Sequence, residues 1–274
     1  MMDDSTLHPL RDRTTATTTN LRVSVIIPAH NEEQTLSTLI PALTKKSQSH
    51  FDMTIMVVDD HSTDDTAKVA SSLGAQVAKM PKHYAQGKGE AISFGIHQAP
   101  AADIYVTCDA DLRSFTVEDL VTLVNPLVER PELIMSRAAY RYQSSDGSSD
   151  STQRVTRLMA KPLLAIFFPE LSHLRSPLAG EIAFRSVVIE NVRLLSGYSI
   201  DVGLLIDAFS VFGIDAIEEV EIGHKVHRHH SLEFLTQQAR EVATAILFKA
   251  DKLTLKEIEE TRHFPFELPS IELT

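Results

Sequence analysis

Apolar β-branched runs alternate with helical stripes in the first half of this chain, and the runs end in polar clusters. This order constrains the fold more than any other feature. Val23-Ser24-Val25-Ile26-Ile27-Pro28 reads as a strand buried on both faces. A helix should follow, with Asn31 as N-cap, Gln34 three residues on, and Leu36, Leu39, Ile40 and Leu43 as its stripe. Pro41 predicts a kink or an early end there. The unit recurs with a strand over 53–58, a helix capped by Ser62 or Thr63, and a short strand over 76–78. A helix from about Gly89 and a strand over 104–108 come next. Alternation of this kind predicts an α/β, doubly wound, mostly parallel sheet with ligands at the carboxyl ends of its strands.

The second half is less regular. Helical patterns are expected around 154–167, 199–212 and 231–250, with strands over 181–184 and 220–222. Residues 1–20 are polar and Thr-rich and read as a disordered lead-in, and 144–152 (SSDGSSDST) as a mobile loop. The C-terminal residues from 231 to 274 read as a helical extension and an extended tail.

A formal charge of −11 argues against a nucleic-acid partner, which needs clustered Lys and Arg. Cys108 is the single cysteine, fitting a reducing cytoplasm, and no run of 18 apolar residues suggests a membrane span.

The chemistry-bearing residues fall at the predicted strand ends. Asp109-Ala110-Asp111 follows the fourth strand, and carboxylates one residue apart can hold a hard divalent cation against a diphosphate. The same triplet alone is equally a solvated turn. Three further clusters accompany it in order: Pro28-Ala29-His30-Asn31-Glu32-Glu33, Asp59-Asp60-His61-Ser62-Thr63-Asp64, and Gly87-Lys88-Gly89-Glu90 ahead of a helix. The last places backbone N–H groups and a lysine where phosphate can bind, though it is neither a Walker A loop nor G-x-G-x-x-G.

Together VSVIIPAHNEE, VVDDHSTDDT, GKGEA and CDADL resemble the family-2-like glycosyltransferases of GT-A fold. RVTRLMAKPLLAIFFPEL, SPLAGEIAFR, GYSIDVGLLIDAF and the HRHHSL segment narrow the resemblance to the glucosyl-3-phosphoglycerate synthase family. It covers about Val23 to about Phe248. The resemblance implies a retaining transfer of glucose from UDP-glucose to 3-phosphoglycerate with Mg2+ or Mn2+, and a homodimer. It implies a catalytic domain over 21–230, divided into a nucleotide-binding half (21–112) and an acceptor-binding half (113–230).

Residue by residue, it places Pro28, Ala29, Glu32 and Asp60 around the uridine, and Gly87 and Lys88 near uracil and diphosphate. Asp109 and Ala110 fall at the ribose and metal region, Asp111 as principal metal ligand, and His227 as the histidine completing that site. Arg154, Thr156 and His229 meet the acceptor phosphate, Asp201 orients a sugar or acceptor hydroxyl, and Arg137 and Arg141 add positive potential. Arg154 is also readable as a surface ion-pair residue and Asp201 as a helix cap. The histidine cluster at 224–230 is also readable as a solvated strand end.

The chain departs from the family pattern at several points. His30 stands in place of Leu, Asp59-Asp60-His61 in place of Asp-Ser-Gly, Asp201 in place of Glu, and His229-His230 in place of Asn-Arg. Three other functions compete: an inverting family-2 transferase, a sugar-1-phosphate nucleotidylyltransferase, and a degenerate nucleotide-sugar-binding protein. The missing membrane segment disfavours the first, PAHNEE in place of a Gly-rich basic loop the second, and intact Asp109, Asp111 and Lys88 the third.

Overall fold

A computed structural model describes residues 21–45, 51–141, 154–224, 231–255 and 257. The segments expected to be a disordered lead-in, a mobile loop and an extended tail lie outside the described residues, as do His227, His229 and His230.

Seven strands form one sheet among the described residues: β1 (Leu21–Ala29), β2 (Phe51–Asp59), β3 (Gln76–Lys79), β4 (Ile104–Thr107), β5 (Met135–Arg141), β6 (Ile182–Arg185) and β7 (Ile217–His224). Their order is β3-β2-β1-β4-β6-β5-β7. The mostly parallel arrangement expected from sequence is present, with β1, β2, β3 and β4 parallel and β5 parallel to β7. Strand β6 runs antiparallel to both β4 and β5, pairing Thr107 with Ile182. That reversal matters: it brings the residues just before β6 to the same edge as the carboxyl ends of β1, β2 and β4.

Alternation along the strands feeds two core layers. In β1, Val23, Val25, Ile27 and Ala29 face one layer and Ile26 the other. The first layer is closed by α1 (Glu33–Thr44), α2 (Thr66–Ser72) and α4 (Val117–Glu129). The second is closed by α3 (Lys88–Gln98), α5 (Lys161–Phe167), α6 (Ser186–Asn191), α7 (Ile200–Phe212) and α8 (Leu232–Lys249). In α8, Val242 and Ile246 are buried in this core, so the helix packs on its own domain. No helix among the described residues is long and apolar enough to cross a membrane.

Several local expectations are corrected. Asn31 is not the cap of α1: it sits at φ 56 and Glu32 takes that position. The Asn31 side-chain oxygen instead accepts from Thr63 N at 2.7 Å, and Asn31 N donates to Ser62 Oγ at 3.0 Å. Neither Ser62 nor Thr63 caps α2, whose N-cap position is Asp65. The two helix starts serve one another: Glu32 N donates to Thr66 Oγ1 and Asp65 N to Glu33 Oε2. Helix α1 also runs through Pro41 to Thr44, and the carbonyl freed at Ser37 lies on an exposed turn where water can satisfy it. Three unexpected elements are β5, α6 and α4, the last opened by a capping box between Thr116 and Asp119.

Helix α3 approaches the segment before α7 very closely. A Cβ at Gly89 would lie 2.1 Å from the Leu195 carbonyl oxygen, a backbone atom that cannot swing aside. Gly89→Ala is therefore expected to destabilise the protein by about 1–3 kcal/mol, read as a lowered thermal midpoint.

Candidate active site

The acidic strand-end clusters and the α3 N-terminus converge at one edge of the sheet. Lys88, the first residue of α3, reaches Asp109 Oδ1 at 2.7 Å and Asp201 Oδ2 at 2.8 Å. Asp109 follows β4, and Asp201 lies in the first turn of α7. Burial disfavours the Lys88 ammonium, yet the two carboxylates outweigh that cost and hold its pKa well above the ordinary value. Burial pushes the Asp201 carboxyl up, while Lys88 opposes it. Asp201 is therefore an inward-facing ion-pair partner; the N-cap position of α7 belongs to Ser199.

Arg137 corrects a further expectation. It is fully buried, so any positive potential it adds is exerted at a distance and not by contact with an acceptor. Its guanidinium donates to the carbonyls of Pro177 at 2.9 Å, Ala179 at 3.2 Å and Asp201 at 3.4 Å. Burial pulls its pKa down to about 10, against Asp201, Glu219 and Glu181, so it stays charged at neutral pH. It thereby ties the residues before Gly180 to the start of α7. Arg141 lies at the end of β5, and its side chain is outside the described residues.

On the other side of Asp201, two carboxylates hold the turn that precedes α7. Glu90 accepts from Gly197 N at 2.9 Å, and Glu241 of α8 accepts from Tyr198 N at 2.8 Å. Tyr198 was not singled out from sequence. Its phenol is pushed up to about 12 by burial and lies in the field of Lys88, Asp109 and Asp111. Its ring meets Phe234 of α8 edge-on at 5.3 Å. The sequence signals for it were its place ahead of an apolar helix and its position in the GYSIDVGLLIDAF motif.

Asp60 and Gly87 form a second constellation, with Gly87 N donating to Asp60 Oδ2 at 3.0 Å. Ala29 and Ala110 are buried, while Pro28, Glu32 and Asp111 are half-buried at the same sheet edge. The Glu32 carboxylate accepts from Thr35 Oγ1. Arg154 and Thr156 stand at the start of a helical segment whose π turn (Thr156–Ala160) packs against α5 and α8. Cys108 is buried, with its thiol 3.7 Å from the Asp109 carbonyl.

Asp109, Asp111 and Asp201 bring three carboxylates to a site where Lys88 is the counter-charge. Asp109 and Asp111 are hard oxygen donors of the kind Mg2+ and Mn2+ take, and the surplus negative charge suits such a cation. Among the described residues, no group of three or more His, Cys, Asp or Glu forms a complete metal site.

Gly180 closes this site from above. A Cβ there would lie 2.5 Å from Asp109 Oδ1 and 2.6 Å from Lys88 Nζ. Thr107 Oγ1 donates to the Gly180 carbonyl at 2.6 Å, which keeps that backbone from retreating. Since the atoms in the way are side-chain ends, Gly180→Ala should fold with little loss. It should displace the Lys88–Asp109 pair, raising the Kd for nucleoside diphosphate and Mn2+ by about tenfold in calorimetric titration.

The profile of glycosyl transferase family 2 matches residues 24–180. Glucosyl-3-phosphoglycerate synthase of Mycobacterium tuberculosis is 34% identical over 236 residues, covering 82% of this chain and 72% of that protein. The enzyme of the same name from Petrotoga mobilis is 29% identical, covering 85% of this chain and 74% of its own length. The crystal structure of the Mycobacterium tuberculosis synthase with Mn2+, UDP and glucosyl-3-phosphoglycerate superposes with a TM-score of 0.76 at 32% identity, over 85% of this chain and 81% of that one. Its complex with Mn2+, UDP-glucose and phosphoglyceric acid superposes equally well, with a TM-score of 0.76. Identity of 34% over 82% of this chain, with a superposition that covers 85% of it, shows the family: the chain belongs to the glucosyl-3-phosphoglycerate synthase family of GT-A glycosyltransferases.

Proposed function

We propose that this chain transfers glucose from UDP-glucose to 3-phosphoglycerate, or to a related small phosphorylated or carboxylate acceptor, with retention at the anomeric carbon. The observation that carries the proposal is the buried Lys88 ammonium held between Asp109 and Asp201, one from the D-x-D turn and one from the opposite wall. Such a cation is placed where negative charge develops as a nucleoside diphosphate departs. Related structures contain Mn2+ with UDP-glucose and phosphoglyceric acid, which supports the same donor and acceptor here.

In this reading residues 21–112 hold the donor and 113–230 the acceptor. Asp111 and Asp109 would hold Mg2+ or Mn2+, which supplies Lewis-acid neutralisation of the diphosphate. His227 is proposed as a further ligand. Pro28, Ala29, Glu32, Asp60, Gly87 and Ala110 frame the nucleoside. Arg154, Thr156 and His229 meet the acceptor's phosphate, and a guanidinium fork suits that anion.

The chain's own groups act by placement. Lys88 exchanges carboxylate partners for diphosphate oxygens, and Asp201, once released, orients the attacking hydroxyl. The bond from the anomeric carbon to the leaving phosphate oxygen breaks as the acceptor oxygen bonds on the same face. The hydroxyl proton passes to the leaving phosphate oxygen. No carboxylate is assigned as a covalent nucleophile: Asp201 orients the attacking hydroxyl rather than attacking the anomeric carbon.

UDP release by the purified protein with Mn2+ is expected to require UDP-glucose and 3-phosphoglycerate together. Lys88→Met and Asp111→Asn should each lower kcat by about 10²–10³. An inverted product would contradict retention, and UDP release indifferent to 3-phosphoglycerate would contradict the acceptor.

A further inference from the structure

The loop that precedes Lys88, residues 81–87, is gripped at both ends by a single pair of side chains. At its far end Gly87 N donates to Asp60 Oδ2 at 3.0 Å. At its near end the Pro81 carbonyl lies 3.3 Å from His61 Nε2 and also accepts from Tyr84 N at 2.9 Å. Asp60 and His61 are themselves joined, Nδ1 to Oδ1 at 2.8 Å. Between its ends the loop is exposed from Lys82 to Gln86.

Both partners of the His61 ring, a carboxylate and a backbone carbonyl, are pure acceptors. Both ring nitrogens must therefore donate for the two bonds to form at once, which only the imidazolium does. The backbone supports the same reading. His61 sits at φ 59, a left-handed conformation that a non-glycine residue adopts at a cost unless its side chain is held.

Other charged groups around the pair are few. Asp59 adds negative charge beside the ring, and Glu90 of α3 faces Asp60. Just after β1, His30 Nδ1 lies 2.7 Å from the Asp60 carbonyl, which it meets only as a donor, and 2.8 Å from Gln86 Nε2, which it meets only as an acceptor, so a neutral or charged ring makes one of these contacts and not both. The hydrogen bond to Asp60 raises the His61 imidazole above its ordinary value of 6.5.

We propose that Asp60 and protonated His61 form a clasp that positions the 81–87 loop, and with it Lys88, for the nucleotide donor. His61 is a positioning residue, acting through Asp60 and Pro81 rather than on the reacting atoms. That the loop serves a donor rests on the functional reading above; that it is clasped does not.

The sign follows from the raised imidazole. The clasp is whole below the ordinary histidine value and fails as pH rises through the folded value. Two variants separate clasping from general stability: His61→Gly, which suits the left-handed backbone, and His61→Gln, which keeps an uncharged donor. Hydrogen exchange of the 81–88 segment in the donor-free protein, corrected for intrinsic rates, is the first readout. Gly87 should exchange about tenfold faster in His61→Gly than in the parent at pH about 6, and the two should converge by pH about 9.

The second readout is the donor's KM across the same range. It should rise with pH in the parent, stay flat and high in His61→Gly and flat in His61→Gln, with kcat little changed. Equal exchange in parent and His61→Gly at low pH would overturn the clasp, as would a shared KM profile. Should UDP-glucose not bind at all, the functional reading fails while the exchange experiment still decides the clasp.

Discussion

A buried ammonium between two carboxylates organises this molecule. Lys88 starts α3, Asp109 lies between β4 and the turn that follows it, and Asp201 lies in the first turn of α7, so three separate elements meet at one charge. In a site so withdrawn from water, the carboxylates alone would repel and take up protons; with Lys88 between them both can ionise. In the proposed function the same arrangement would connect a donor side to an acceptor side, because anything that draws Lys88 toward a diphosphate also frees Asp201.

Much of the surrounding structure serves to keep that charge where it is. Antiparallel β6 returns along β4 and delivers Gly180 directly over Asp109, where a side chain would collide with the pair. Arg137 fastens the preceding carbonyls and the Asp201 backbone together from beneath. Glu90 and Glu241 fasten the Gly197–Ser199 turn from the other side, and the second makes α8 part of the site's support. These contacts add no chemistry of their own. They fix distances, on which an electrostatic site depends.

The parallel half of the fold was legible because apolar β-branched runs and polar strand ends are local properties of the chain. Lys88 and Asp109, which the structure pairs at 2.7 Å, were legible for the same reason. What escaped reading was set by distant partners. Arg137 looked like an available cation, and only the packing of three remote carbonyls around it makes it a strut. Asn31 had the residue type of a cap, but Ser62 and Thr63 of another loop claim its polar atoms. Tyr198 gained its place from Glu241 and Phe234, both on a helix more than thirty residues later by number. Strand β6 was found, but its antiparallel direction is not encoded in its own four residues.

The central claim is that Lys88 changes partners when the donor arrives. A crystal structure of this chain with Mn2+ and UDP tests it most directly. The account predicts Lys88 Nζ on a diphosphate oxygen and out of hydrogen-bonding distance of Asp201, with Asp111 on the metal. Lys88 still lodged between Asp109 and Asp201, with the nucleotide bound elsewhere, would contradict it.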